Sequence, residues 1–438
     1  MNNKTASIRR KATFNLRDLP DFHTKALVWA ATFPLCTALD SNHYEKDSHH
    51  RYDQLIAVGE EVSLQAKRGE DSFEQLKKWH KKEEDWLFGY LSYDLKNEVE
   101  KLVSNNKNVL QWPDMLFFQP SVVLAFEEAE LTVHSIHLKP ELVVSQICNQ
   151  IVNENEKQIP KPVIKSGMTK EYYLKSVEAV RQHIIAGDLY EMNLCQEFFA
   201  ENYEVDPLLL FQELNAIAKA PFATFFRWED AYLCCASPER FIQKRKDLII
   251  SQPIKGTIAR GETEKEDVQF QQDLYASIKD RAENVMIVDL VRNDFARSCQ
   301  SGSVKVNELF AIYPFEQVSH MISTVSGLLR KDIHFSEALK NAFPMGSMTG
   351  APKVMSMELI ENYEKCRRGL YSGTVGYITP EGDFDFNVVI RSILYDAAKK
   401  YLSFQVGGAI VYDSVPEKEY EECLLKAKGM LKVLGVEI

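Results

Sequence analysis

The stretch Leu248–Gly261 reads LIISQPIKGTIARG. Leu248-Ile249-Ile250 is an apolar run of strand type. The next residues are punctuated by Pro253, Gly256 and Gly261, so the strand feeds a loop with tight backbone geometry. Lys255 stands alone in that loop, between an apolar residue and a glycine. Such a lysine is either a solvated surface charge or an amine held against a ligand. In the second case burial lowers its pKa and makes it a nucleophile. The sequence on either side decides between the two.

Upstream, Thr169 opens a helix that closes at Gly187, and Leu189–Ala200 is a strand. Asp206-Pro207 starts another helix, with aspartate at the N-cap and proline at the first turn. Ala223–Trp228 and Ala231–Ala236 form a hairpin across Glu229-Asp230, and Phe241–Ile250 adds more strand. Downstream, residues 262–298 hold two helices. The second, about Asp280–Cys299, carries Ala282, Val285, Met286, Leu290 and Phe295 on its apolar side. Strands near 303–306 and 318–325, helices near 335–342 and 351–363, and strands Gly373–Ile378, Phe386–Leu394 and Tyr401–Val411 precede a final helix from Pro416. Towards the N-terminus, Ala26–Phe33 reads as a buried strand. Residues 43–85 are mostly helical, with Phe73, Leu76 and Trp79 on one face. Trp86–Tyr93, Phe117–Phe126 and Leu131–Leu138 read as strands, and the polar segment 153–167 as a linker. No βαβ period, GxGxxG or P-loop appears, which favours an α+β fold with antiparallel sheets and indicates neither a dinucleotide nor an NTP.

The bulk composition narrows the classes. Of 438 residues, 45% are hydrophobic and 26% charged, and 52 basic against 63 acidic residues leave a net charge of −11. That disfavours nucleic-acid binding. The eight cysteines include no CxxC pair, so neither zinc nor a disulfide framework is indicated, and a reducing compartment is expected. The first residues lack the apolar core of a signal peptide and no run reaches membrane-span length. A cytoplasmic location without membrane contact is the expectation.

Two helices carry carboxylates in telling positions. Glu419, Glu422 and Lys426 fall at i, i+3 and i+7, one face of the last helix, and by themselves read as a solvated ion-paired stripe. Glu283 lies in an apolar run, AENVMIV, where a carboxylate needs a partner, and a cation is one solution. A few carboxylates from separate helices plus water suit Mg²⁺.

The motifs GDLYEMNL (187–194), SPERF (237–241), PIKGT (253–257), DRAENVMIVDLVRND (280–294), GSMTGAPK (346–353), YSGTVGY (371–377), VVIRS (388–392) and VGGAIVYDS with EYEE (406–422) follow one another in the order found in the chorismate-utilising enzymes. The chain resembles that family, which includes the anthranilate, aminodeoxychorismate, isochorismate and salicylate synthases. The resemblance implies a large α/β sandwich of two antiparallel sheets flanked by helices, with an N-terminal part, 1–160, and a chorismate-binding catalytic part, 168–438. It implies Mg²⁺ on Glu283, Glu419 and Glu422, and substrate contacts from Gly256, Thr257, Ser347, Tyr371, Arg391, Gly407 and Lys426. Arginine and lysine suit a dianionic substrate because their hydrogen bonds to carboxylates are charge-assisted and directed. Thr37–Asn42, TALDSN, looks like the segment that lines a tryptophan pocket in relatives.

Within the family, PIKGT is the form carried by aminodeoxychorismate synthases, whereas anthranilate and isochorismate enzymes place a small residue at the position of Lys255. The resemblance therefore implies amination of chorismate at C4: Lys255 adds at C2 as the C4 hydroxyl leaves, and ammonia then enters at C4. Hydroxide leaves poorly, so a general acid is required, with Glu239 and His320 as candidates. Alone, Glu239 reads as a partner of Arg240, and His320 as a core histidine. No glutaminase motif is present, so a separate glutamine amidotransferase subunit is the implied source of ammonia. The rival readings are an anthranilate synthase component and a non-catalytic subunit that binds chorismate or tryptophan. Two residues depart from the pattern: Glu191 stands where isochorismate enzymes have lysine and aminating enzymes more often glutamine, and Glu197 where arginine is common.

Overall fold

A computed structural model describes residues 9–66, 70–152 and 158–437. Two antiparallel sheets pack face to face. The larger, of 12 strands, runs in the order Arg10–Asn15, Glu130–Ser135, Val122–Glu127, Gln54–Val58, Leu35–Asp40, Phe222–Trp228, Ala231–Ser237, Ser392–Asp396, Tyr401–Ile410, Glu191–Ala200, Gly350–Ala351, with Lys165–Ser166 also on Glu191–Ala200. The smaller, of 10, runs Ile254–Ala259, Val318–Leu328, Leu248–Gln252, Arg240–Arg245, Phe384–Asn387, Thr374–Ile378, Leu87–Leu91, Met115–Gln119, Val62–Gln65, with Lys305–Pro314 also on Val318–Leu328. Strands from both sides of segment 153–167 share each sheet; residues 153–157 of that expected linker lie outside the described residues.

Strand alternation sorts the side chains into layers. Between the sheets, Leu55, Val123, Phe226 and Leu233 of the larger meet Phe88, Tyr90, Phe118 and Val375 of the smaller. On the outer face of the larger sheet, Leu194, Phe225 and Ile393 pack under helices Phe22–Ala30, Lys170–Ala186, Pro207–Ala218 and Pro416–Val433. On the other outer face, Leu87, Phe117 and Ile249 pack under Ser72–Glu83, Ile278–Ala296 and Phe335–Ala342. The sandwich flanked by helices expected from the sequence is the one observed. No helix among the described residues is long and apolar enough to cross a membrane, and all eight cysteines are free.

The capping signals placed their helices well. Thr169 accepts from Tyr172 N, Gly187 closes that helix at φ +87°, and Asp206 accepts from Leu208 and Leu209 N ahead of Pro207. The hairpin across Glu229-Asp230 forms as read. Apolar runs misled elsewhere. Ala26–Phe33 is not a strand but the end of helix Phe22–Ala30 and the turn after it, because a nearly unbroken apolar run has no period to distinguish the two. Residues 43–85 hold two strands before the helix Ser72–Glu83, although Phe73, Leu76 and Trp79 are its buried face as expected. Phe117–Phe126 is broken at Pro120, and Phe386–Leu394 between Asn387 and Ser392; in each case the chain crosses from one sheet to the other. Helix Ile278–Ala296 buries Asn284, Ile287, Val288, Val291 and Phe295, a face rotated from the expected one, and leaves Val285 exposed.

Candidate active site

The lysine stretch is not a loop. After Leu248–Gln252 the chain turns at Pro253 into a further strand, Ile254–Ala259, at the edge of the smaller sheet beside Val318–Leu328. Pairing slips between Ile254 and Thr257, so Lys255 and Gly256 form an irregularity that re-aims a side chain. Gly256 takes φ +90°, and a Cβ there would lie 3.0 Å from Asp280 Cβ and 3.2 Å from Leu274 Cδ1. The bulge turns Lys255 inward, where its side chain is 8% exposed and donates to Glu191 Oε1. Burial lowers its pKa, but the charges of Glu191 and Glu283, the hydrogen bond to Glu191 and the charge of Glu239 outweigh it. The pKa is raised, not lowered as expected from burial: the resting lysine is an ammonium.

Of the two acid candidates, Glu239 holds a proton that it can release near neutrality. It is buried, and burial lifts its carboxyl to about 7 against the pull of the Ser347 side chain, the Ile254 amide and Lys255. The adjacent Arg240 does not pair with it. Arg240 binds Asp47 at 2.7 Å and Asp385 at 2.9 Å. His320 lies opposite Thr257 across the strand pair, with Nδ1 2.8 Å from Thr257 Oγ1 and its ring 5.2 Å from that of Phe315. Burial, then the charge of Arg391, depress it to about 3, so it is a neutral imidazole with no cationic proton to give.

The carboxylates of two helices act on one lysine. Lys279 lies 3.9 Å from Glu283, and the charges of Glu283, Glu419 and Glu422 raise its pKa against burial. Burial raises Glu283 to about 7. Glu419, 4% exposed, accepts from Ser414 Oγ at 2.7 Å. Lys426, 2.7 Å from Glu422 Oε1, lowers the pKa of that carboxyl. Of this stripe only Glu419 is buried; Glu422 keeps 45% and Lys426 28% of its side chain exposed, so the face lies at the rim of the site and not in open solvent alone. A side chain at Gly408 would begin 3.5 Å from both Glu419 Oε2 and Glu422 Oε1, so glycine keeps the space between them open. Among the described residues no three His, Cys, Asp or Glu side chains are close enough to cage a metal. An open set of carboxylates fits Mg²⁺ in its chemistry, since that ion takes few protein oxygens and completes its shell with water and substrate.

The remaining predicted residues join these groups pair by pair. Arg391, His320 and Lys426 line one cavity of about 80 Å³ with Pro238, Phe315 and Met430. Arg391 sits at φ +52°, with Nη1 3.4 Å from Lys426 O. Lys426 donates to Gly407 O at 2.9 Å. Ser347 touches Glu239 through its side chain and accepts from Asn193 Nδ2 at its carbonyl, 2.8 Å. Tyr371 is buried against Cys195, 3.6 Å from Oη to Sγ. Sequence reasoning singled out Glu191 as a departure but did not see that it pairs with Lys255. Its signal was the alternation of polar Glu191 and Asn193 with apolar Met192 and Leu194 at the start of the strand. Glu197 faces the same way about 20 Å further along at ~3.3 Å per residue, where Tyr401 Oη donates to it at 3.0 Å; it lies outside this site. Asp40 and Ser41 of the TALDSN segment line a separate cavity with Asp47, Arg240 and Asp385.

The sequence profile of the chorismate binding enzymes matches residues 36–432. The chain is 36% identical over 355 residues to an anthranilate synthase component I-like protein of Synechocystis, covering 80% of this chain and 72% of that one. It is 37% identical over 358 residues to aminodeoxychorismate synthase component 1 of Escherichia coli, covering 79% and 76%. The fold superposes on anthranilate synthase component I from Streptococcus pneumoniae with a TM-score of 0.77 and 25% identity, over 88% of this chain and 93% of that one.

Proposed function

This chain belongs to the family of chorismate binding enzymes, and from that premise we propose that it aminates chorismate at C4 to 4-amino-4-deoxychorismate, the precursor of para-aminobenzoate in folate synthesis. The observation that carries the reading is Lys255, a buried amine on a strand bulge with Glu239, a carboxyl at about 7, among the charges that act on it. Lys255 adds to C2 while Glu239 protonates the departing C4 hydroxyl. Ammonia then attacks C4 and expels the lysine, which has kept C2 blocked. Arg391 and Lys426 orient the substrate carboxylates, and the Gly256-Thr257 backbone closes against the ring side. Glu283, Glu419 and Glu422 would hold Mg²⁺, whose charge offsets that of the substrate carboxylate. The ammonia comes from a glutamine amidotransferase subunit, and the reaction runs in the cytoplasm.

The test is incubation with chorismate, Mg²⁺ and ammonium, with products separated by mass and fluorescence. The expected product is non-fluorescent aminodeoxychorismate, and Lys255→Ala should lose most of the turnover. Fluorescent anthranilate would assign the chain to ortho amination, no turnover at all to a binding subunit, and an unchanged Lys255→Ala rate and product would refute the lysine's role.

A further inference from the structure

An ammonium cannot attack carbon, because the electron pair needed for the new bond is held by a proton. The lysine ammonium is in contact with Glu191, whose side chain is 0% exposed. The two residues belong to different sheets, Glu191 opening the strand Glu191–Ala200 of the larger and Lys255 lying on the edge strand of the smaller, so the pair is made by the sandwich and not by local sequence. Glu191 is fixed in place. It pairs with Ala351, its carbonyl accepts from Ser356 Oγ at 3.3 Å, and a side chain on Gly350 would begin 2.1 Å from that carbonyl. Its second carboxylate oxygen, Oε2, is buried with no hydrogen-bond partner among the described residues. A purely structural ion pair tends to satisfy both oxygens; this one keeps an acceptor site open.

We propose that Glu191 is a catalytic residue, the internal base that takes the Lys255 proton when chorismate binds and returns it when the lysine is expelled. The inference rests on the reading of Lys255 as nucleophile. In the first step the proton passes from Nζ to the Glu191 carboxylate. The freed pair forms the Nζ–C2 bond, both conjugated ring double bonds shift, from C1=C2 and C5=C6 to C1=C6 and C4=C5, and the C4–O bond breaks as the Glu239 proton leaves with the hydroxyl as water. In the second, the ammonia pair forms C4–N, both double bonds return to C5=C6 and C1=C2, and the C2–N pair goes back to Nζ. The surplus proton on the new ammonium restores Glu239, and Glu191 reprotonates the lysine. The sum is chorismate plus ammonia giving aminodeoxychorismate plus water. The other charges acting on Nζ are Glu239 ahead of strand Arg240–Arg245, Glu283 with Lys279 and Asp280 beside it on one helix, and Glu422 on the last.

Glu191→Gln keeps size and hydrogen bonding but cannot accept a proton, so its lysine must lose one to solvent. In ammonium-dependent amination, the variant's kcat/KM relative to the parent should be down at least tenfold at about pH 6, and the gap should narrow steadily as pH rises to about 9, by up to about tenfold per unit along the lysine titration. Glu191→Asp, which restores a base, should recover most of the loss at the acid end. A variant-to-parent ratio that stays constant across that range, or an aspartate variant no better than glutamine, would overturn the proposal and leave Glu191 a residue that only holds the lysine. Lys255→Ala, assayed alongside, separates the two failures: if it keeps the parent's rate and product, the nucleophile reading fails whatever Glu191 does.

Discussion

Replacing Glu239 by glutamine should make the protein more stable and less active at once. The residue is 3% exposed, and burial lifts its carboxyl from an ordinary 4.5 to about 7. The folded state therefore holds this proton through a pH range in which the unfolded chain has already released it. Native protein binds more protons than unfolded between those values, so stability falls as pH climbs from about 4.5 to about 7, and the deficit is complete above. At about 1.4 kcal/mol for each tenfold change in proton affinity, it amounts to about 3 kcal/mol. Glutamine has the same shape, keeps an oxygen for the Ile254 amide and the Ser347 hydroxyl, and has no charge to desolvate. Urea unfolding followed by tryptophan fluorescence at about pH 5.5 and about pH 8.5 should show the variant gaining on the parent at the alkaline end, by up to that amount. Turnover should fall by about 10²–10⁴, the range for loss of a positioned acid. A variant no more stable than the parent at alkaline pH, or one that turns over at the parent's rate, would refute the reasoning.

Two further outcomes rest on packing. Lys353→Met leaves Asp294, 4% exposed and held at 2.7 Å by that lysine, as an unpaired buried carboxylate; it should cost about 3–5 kcal/mol, and adding Asp294→Leu should recover most of it in a double-mutant cycle. A null coupling energy would mean that the pair is not formed in solution. Gly407→Ala puts a Cβ 2.2 Å from Leu194 O and 2.6 Å from Cys195 Sγ, across the pairing of Tyr401–Ile410 with Glu191–Ala200. It should cost about 3 kcal/mol and lower the thermal midpoint, and an unchanged midpoint would show that the two strands lie further apart than described.

What the sequence disclosed depended on how local the cause was. Caps and two-residue turns are decided within a few residues, and Thr169, Asp206 and Glu229-Asp230 did what their chemistry dictates. Nearly unbroken apolar runs carry no period, so Ala26–Phe33 and the sheet-crossing breaks at Pro120 and after Asn387 were not legible. The same holds at the site. Glu419, Glu422 and Lys426 announced a shared face through helical spacing, but not that Glu419 alone of the three is buried. The Glu191–Lys255 pair depends on where two sheets meet, which no window of sequence contains. The sign of the lysine's shift was misjudged for that reason: desolvation is a property of one residue's burial, whereas the opposing carboxylates arrive from three other elements.

That strands from both sides of segment 153–167 share each sheet has a consequence for the integrity of the molecule. Phe222–Trp228 takes its neighbour from Leu35–Asp40, and Thr374–Ile378 takes its own from Leu87–Leu91. A fragment beginning after residue 160 would lose both neighbours and bare two long apolar strand margins, each a template for sticking to other chains. The candidate site is drawn almost wholly from later residues, yet it depends on the earlier ones as ballast: the part after residue 160 cannot be trimmed free without first supplying something to sheathe those margins.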